Sequence, residues 1–286
     1  MTKAITWLPL AAIVLIGTAV TFGQAASQPT TAQAQSSSGA PPQAGGAEDL
    51  AKQLANPIAS LISVRFENNF DFNTGPEGDG FRYTMNFVPV IPIALNNRWN
   101  MISRTVLPTI HQDDMVGRSS QTGLGDLVES LFFSPNKTKP FIWGVGPVVL
   151  IPTATNGNLG TRKFGLGPTA VALKQQGKWT YGALSNHIWS VAGDNDRADV
   201  NSTFLQPFVA HTTKTAWTYL LNTESSFDWR ARKWSVPIHL VAQKLVKFGK
   251  QPVSIGGGLR CWATSPPDGP RGCGFRLIVT PLFPKG

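Results

Sequence analysis

Residues 274–286 read GFRLIVTPLFPKG. Phe275, Leu277, Val279 and Phe283 alternate with Arg276, Ile278, Thr280 and Leu282. Side chains of an extended chain point alternately to opposite faces. One face of this stretch is therefore large and apolar, while the other holds Arg276 and Thr280 among aliphatics. Such a strand fits a sheet with an apolar medium on one side and a partly polar interior on the other. Residues 59–70, ASLISVRFENNF, repeat the pattern, with Ile62, Val64 and Phe66 set against Ser63, Arg65 and Glu67. In FRYTMNF (81–87), Phe81, Tyr83, Met85 and Phe87 alternate with Arg82, Thr84 and Asn86.

Short runs of β-branched and aromatic residues continue along the chain, separated by turn residues. They predict strands near 97–108, 123–134, 139–152, 164–176, 178–190, 202–212, 215–227, 234–246, 251–263 and 272–283. The total is about twelve, an even number as in outer-membrane barrels. Face assignment is ambiguous over 180–190 and 204–211. The connections alternate in kind. Asn96-Asn97, Pro135-Asn136-Lys137-Thr138-Lys139, Gln175-Gln176-Gly177-Lys178 and Gly249-Lys250 are tight and polar. FNTGPEGDG, HQDDMVGRSSQTG, TNGNLGTRK, AGDNDRAD and the loop between the two cysteines are mostly longer. Short periplasmic turns alternating with longer outer loops mark an all-β, closed, antiparallel transmembrane barrel, whereas a sandwich needs no such parity. Pro89, Pro92, Pro147, Pro207 and Pro237 argue against it, because a closed barrel has no edge strand for a residue without an N–H. Gly-Val-Gly-Pro at 144–147 and Gly-Leu-Gly-Pro at 165–168 open no helix and read as strand bends.

The chain starts with Lys3, an apolar run over 4–22 and then Ala32-Gln33-Ala34. This is the layout of a secretory signal peptide over 1–34, cleaved after Ala34 or after Ala25. Residues 35–46 are rich in Ser, Gly, Pro and Gln and read as a linker. AEDLAKQLA (47–55) predicts a short amphipathic helix with Leu50, Ala51 and Leu54 on one face, placed at a barrel mouth, in the lumen or on the surface. The organisation expected is thus signal (1–34), linker and helix (35–56), and barrel (57–286). Beyond the signal, no stretch approaches the roughly 20 apolar residues of a membrane helix. Cys261 and Cys273 bracket WATSPPDGPRG. In an exported chain they form either a disulfide clamping a hairpin loop or two buried thiols.

A barrel lumen is lined by the polar face of its strands. Arg65, Glu67, Arg82, Asn86, Arg104, Glu224, His239 and Arg276 are the candidates for lumen and selectivity residues. Charged rings of this kind set pore selectivity, and an excess of Arg points to anionic solutes. They serve equally well as a salt-bridge network packing a narrow barrel. Trp99, Trp143, Trp179, Trp189, Trp217, Trp229 and Trp234 fall near strand ends, as girdles at two membrane interfaces require, with core packing in a sandwich as the alternative. The formal net charge is +9, but Lys and Arg are scattered and no nucleic-acid motif accompanies them. Nucleic acid is therefore not an expected partner; anionic head groups and anionic solutes are. His111, Asp113 and Asp114 read as a solvated loop, so no metal or cofactor is expected. No G-x-S-x-G or H-E-x-x-H is present. The chain is read as a non-enzyme, with a barrel-wall hydrolase as the minor alternative, since triads assemble in space.

AKQLANPIASLISVRFENNFDF, VPVIPIALNNRWNMISRTVLPTI, TGLGDLVESLFFSP, WGVGPVVLIPTAT, FGLGPTAVALKQQGKWTYGALSNHIWSVAGD, LQPFVAHTTK and RLIVTPLFPK occur in this order. Together they resemble the outer-membrane transporter family related to the phenol-degradation meta-pathway (MetA-pathway) proteins, from about residue 48 onward. The resemblance implies an outer-membrane barrel passing small or aromatic compounds, with no catalytic residues. A non-transporting plugged barrel and a secreted β-sandwich binding protein are the competing readings. Residues 274–286 then become the strand that closes the sheet against 59–70. A terminal strand ending near an aromatic also resembles the signal read by the outer-membrane assembly machinery, although Pro284, Lys285 and Gly286 follow Phe283.

Overall fold

The structure, a computed structural model, describes residues 46–136 and 141–284. The expected signal peptide, the linker as far as residue 45, residues 137–139 of the 135–139 turn, and Lys285 and Gly286 lie outside these residues. Helix α1 (Ala47–Leu54) precedes fourteen β segments. They are β1 (Ile62–Thr74), β2 (Gly80–Ala94), β3 (Trp99–Asp113), β4 (Ser120–Leu124), β5 (Leu127–Pro135), β6 (Phe141–Ile151) and β7 (Lys163–Gln176). There follow β8 (Trp179–Gly193), β9 (Asn201–Thr212), β10 (Trp217–Thr223), β11 (Ser225–Asp228), β12 (Lys233–Phe248), β13 (Gln251–Thr264) and β14 (Cys273–Phe283). β4 and β5 both pair with β3. β10 and β11 both lie between β9 and β12. The fourteen segments are therefore twelve barrel strands, two of them interrupted. Every pairing is antiparallel, and β14 pairs with β1 from Ile62↔Phe283 to Phe70↔Phe275. The sheet closes, removing both edges. Closure excludes the β-sandwich.

The connections 95–98, 177–178, 213–216 and 249–250 lie at the end of the barrel that carries α1. The opposite end carries 75–79, 114–119, 152–162, 194–200, 229–232 and 265–272. The last of these is closed by a disulfide between Cys261 and Cys273, which stand opposite each other on β13 and β14. Loop 152–162 folds inward. Asp126 accepts hydrogen bonds from the Ala154 and Thr161 amides and the Thr161 hydroxyl, and Arg197 donates to the Gly157 and Gly160 carbonyls.

Four of the five prolines sit where a ladder lapses, and Pro92 stands past the end of the β1–β2 ladder, within an unbroken β2–β3 run. Pro89 pairs with Val64 on β1, while the β2–β3 ladder skips from Phe87↔Leu107 to Val90↔Arg104. Pro168 faces Pro147, and the β7–β8 ladder skips from Leu166↔Trp189 to Thr169↔Asn186. Pro207 and Pro237 flank the break between β10 and β11 at Glu224, whose amide reaches the Pro237 carbonyl. A missing donor is thus tolerated inside a closed sheet where the facing group is released as well. Gly167 belongs to the same device. A Cβ there would run into the His187 carbonyl oxygen of the adjacent strand.

Phe275, Leu277, Val279 and Phe283 are exposed, while Arg276, Ile278, Thr280 and Leu282 are buried. The same split runs around the barrel. Ile91, Val145, Leu166, Leu205, Leu221, Leu240 and Leu259 form part of an outward apolar belt. Trp99, Trp143, Trp179 and Trp217 edge it at the α1 end; Trp189, Trp229 and Trp234 edge it at the loop end. Two aromatic girdles around an apolar band are the outer surface of a transmembrane barrel. Glu129 on β5 also points outward, accepting hydrogen bonds from the Ser103 and Thr105 hydroxyls of β3 at 2.6 and 2.5 Å.

The interior departs from the expectation of a uniformly polar lumen. On β3 and β5–β8 many inward positions are apolar, with Ile102, Phe132, Val148, Leu150, Val171, Leu173, Leu184 and Ile188 all buried, beside the buried polar Ser130, Thr169 and Thr180 and the inward Arg104. Ile58, entering from the segment after α1, packs in one cluster with Ile102, Phe132, Val171, Leu173 and Leu184, together with Phe204 and Phe208. This explains the two ambiguous strands: on β8 and β9 the inward face is also substantially apolar. Helix α1 sits in the mouth of the barrel. Leu50, Ala51 and Leu54 join Ala59, Leu61, Ala216, Leu245 and Leu282 in one cluster. Lys52 Nζ donates to the Gly177 carbonyl at 2.6 Å, and Gln175 Nε2 donates to the Lys52 carbonyl at 3.0 Å.

Candidate functional site

The polar half of the lumen is built by β1–β3 and β10–β14. Alternation on β1 brings Arg65, Glu67, Asn69 and Asp71 to the inward face. Register places Asn69 opposite Arg276 on β14, and His239 on β12 opposite Arg260 on β13. Glu224 projects from the interruption between β10 and β11, three strands from β14, and reaches across the lumen. Arg276 is 2% exposed and fully engaged. Its Nη1 and Nη2 donate to the two Glu224 oxygens, both at 2.7 Å, and its Nε donates to Asn69 Oδ1 at 2.6 Å. A guanidinium presents a planar fork that matches a carboxylate in this way. Arg65 pairs with Glu67 at 3.0 Å, and Arg260 pairs with Asp71 at 2.9 Å. Trp262 Nε1 also donates to Asp71, at 2.8 Å, and the Arg260 guanidinium lies over the Trp262 ring. Arg260 Nη1 donates to His239 Nε2 at 2.6 Å. A guanidinium cannot accept, so His239 accepts through Nε2 and carries its proton on Nδ1, which is buried with no partner among the described residues.

Of the eight residues expected in the lumen, Arg65, Glu67, Glu224, His239 and Arg276 lie in or beside this network. Arg82, Asn86 and Arg104 also lie on inward positions, but outside it. Arg82 and Arg104 have no ion pair or hydrogen bond among the described residues. Asp71, Arg260, Asn69 and Trp262 belong to the network and lie outside the expected set. Asp71 continues the parity of Arg65, Glu67 and Asn69, so alternation on β1 does point to it. Arg260 follows Gly256-Gly257-Gly258, which obscures the facing of its strand.

The network and the apolar cluster narrow the barrel at mid-height. On the α1 side a void of about 50 Å³ remains between Leu54, Pro57, Arg65, Gln206 and Asn222. On the loop side lies a cavity of about 570 Å³, with Glu67, Arg104 and Glu224 among its lining and Thr161 and Asp199 towards the loops. Lys163 and Arg230 both pair with Asp199 there. On the outer wall, His111 stands between Thr122 and Asp113, at 2.7 and 3.1 Å, with Ser120 also bonded to Asp113. This ties β3 to β4 beside the loops and is remote from the lumen network.

No family model and no curated protein matches the chain. Among solved structures, an outer membrane channel from Pseudomonas putida F1 superposes with a TM-score of 0.59 at 15% identity, over 78% of this chain and 93% of that one. A bacterial polysaccharide outer membrane secretin overlaps with a TM-score of 0.37 at 9% identity, too low to carry an argument. The chain thus has the fold of a bacterial outer membrane channel: a closed, twelve-stranded antiparallel barrel.

Proposed function

We propose that this protein is an outer-membrane channel for passive passage of small solutes, preferring anions with an apolar or aromatic body. It would be exported by the signal at 1–34, inserted by the assembly machinery that reads terminal barrel strands, and held by outer-membrane lipid at its two girdles. The observation that carries the preference is the charge imbalance of the polar half. Five guanidiniums, of Arg65, Arg82, Arg104, Arg260 and Arg276, face three carboxylates, of Glu67, Asp71 and Glu224. The surplus rests on Arg82 and Arg104, since the others are paired. Fixed unpaired charge in a narrow, weakly screened lumen raises the local concentration of the opposite ion. The apolar wall on β5–β8 suits the hydrocarbon part of a solute.

The test is the reversal potential of purified protein in planar bilayers under a salt gradient. The expected sign is anion-selective, and Arg82→Glu with Arg104→Glu moves it towards cations. An unchanged potential in that variant rejects the assignment. Arg65 is a poor choice for this test because Glu67 already neutralises it. The seat of α1 in the barrel mouth favours a second reading, a plugged barrel that does not conduct; such a protein stays silent in the same bilayers.

A further inference from the structure

The cavity on the loop side has the make-up of a binding site as well as of a passage. We infer that it binds a small organic monocarboxylate with an aromatic or branched aliphatic body, its carboxylate held by Arg104. This names a substrate class for the channel reading above and rests on it. At about 570 Å³ the cavity lies within the roughly 300–1,000 Å³ of small-molecule pockets. Its walls are unlike each other. Val128, Leu150 and Ile188 make one aliphatic; on the other, Arg104 and Asn86 stand beside Val106 and Val88.

Arg104 is the cation there with unspent donors. The carboxylates nearest it in the lining are committed elsewhere, Glu224 to both Nη groups of Arg276 and Glu67 to Arg65. Arg104 itself has no ion pair or hydrogen bond among the described residues. A guanidinium in a half-apolar cavity gains much from a partner that fills its fork, and a carboxylate does so with two parallel bonds. The same floor sets the ligand's charge. Glu67, Glu224, Asp199 and Asp228 all line the cavity, Asp199 being held by Lys163 and Arg230 and Asp228 by the Arg230 and Ala231 amides, so a second negative charge on the ligand would face carboxylates, which disfavours phosphates and dicarboxylates. The aliphatic wall requires a body that is better out of water.

Benzoate is the probe, with binding measured by calorimetry on detergent-purified protein whose folded state is verified by heat-modifiable migration. Wild type binds benzoate saturably. Benzamide, of the same shape without the charge, binds about tenfold or more weaker, as expected for loss of a charge-assisted contact. Terephthalate, with a second carboxylate, also binds more weakly. Arg104→Gln weakens benzoate by about tenfold or more, whereas Lys250→Gln, in a turn at the other end of the barrel, leaves it unchanged. Equal affinity of wild type and Arg104→Gln overturns the inference, as does equal binding of benzamide or no saturable binding at all. If Arg104→Gln does not fold, the benzoate–benzamide comparison on wild type decides the matter alone. The two readings fail separately. Silence in bilayers with benzoate binding intact removes passage and leaves the site, and conductance without benzoate binding does the reverse.

Discussion

At the scale of single residues, the Arg276–Glu224 pair dominates the interior. Both groups have left water, and their mutual hydrogen bonds offset that cost only while both are present. Arg276→Ala leaves the Glu224 carboxylate facing the lumen without its bidentate partner. A loss of about 3–5 kcal/mol is expected, read as a lower temperature for collapse of the folded band in detergent gels. Arg276→Met with Glu224→Leu removes both charges together and is expected to recover most of that loss. Recovery of nothing would show that the stability comes from the wider network and not from the pair. Alternation alone brought Arg65, Glu67 and Arg276 to the inward face. It could not say which carboxylate meets which guanidinium, because Glu224 and Arg276 are 52 residues apart and meet only across the lumen.

Among the elements, α1 has the largest consequence for passage. Its three buried apolar residues are satisfied only by the barrel interior, which is why an eight-residue helix, short for independent stability, is held in place. Leu50→Asp with Leu54→Asp would bury two unpaired charges in that cluster, so the helix is expected to leave the mouth. Unit conductance in bilayers then rises while heat modifiability persists. Unchanged conductance would show that the constriction lies at the charged network instead. The disulfide acts locally. Cys261 and Cys273 are 12 residues apart, so the bond restricts the unfolded chain by about 3 kcal/mol at most. Cys261→Ser with Cys273→Ser is expected to speed proteolysis within 265–272 while leaving the barrel intact. Strand positions were largely legible from period-two runs, and so was the amphipathic face of α1. The inward faces of β8 and β9 were not, since a lumen half filled by Ile58, Phe204 and Phe208 puts apolar residues on both sides of the wall.

The whole molecule is a wall with two surfaces. Its outer belt is apolar around the ring, and its girdles stand at both ends, as a lipid bilayer requires. Its inner surface is divided lengthwise into a charged half and an uncharged, mostly aliphatic half. Detergent extraction with heat-modifiable migration is the expected behaviour; recovery in the soluble fraction without detergent would contradict the belt. A serine-directed fluorophosphonate is expected to leave the protein unlabelled. Labelling near Ser120 or Thr122 would instead point to the outer-wall group around His111 as a reactive centre.

By itself the sequence determined most strand positions, the parity of turns and loops, the placing of tryptophans near strand ends and the outward set of the final strand. Each of these follows from local periodicity, and a period of two survives whatever the partner strand. Tertiary structure alone decided that the sheet closes, how prolines enter a sheet without edges, which charges pair, that α1 fills the mouth, and that much of one lumen wall is apolar. Those depend on register and on what meets across the interior, where residues far apart in the chain share one low-dielectric space.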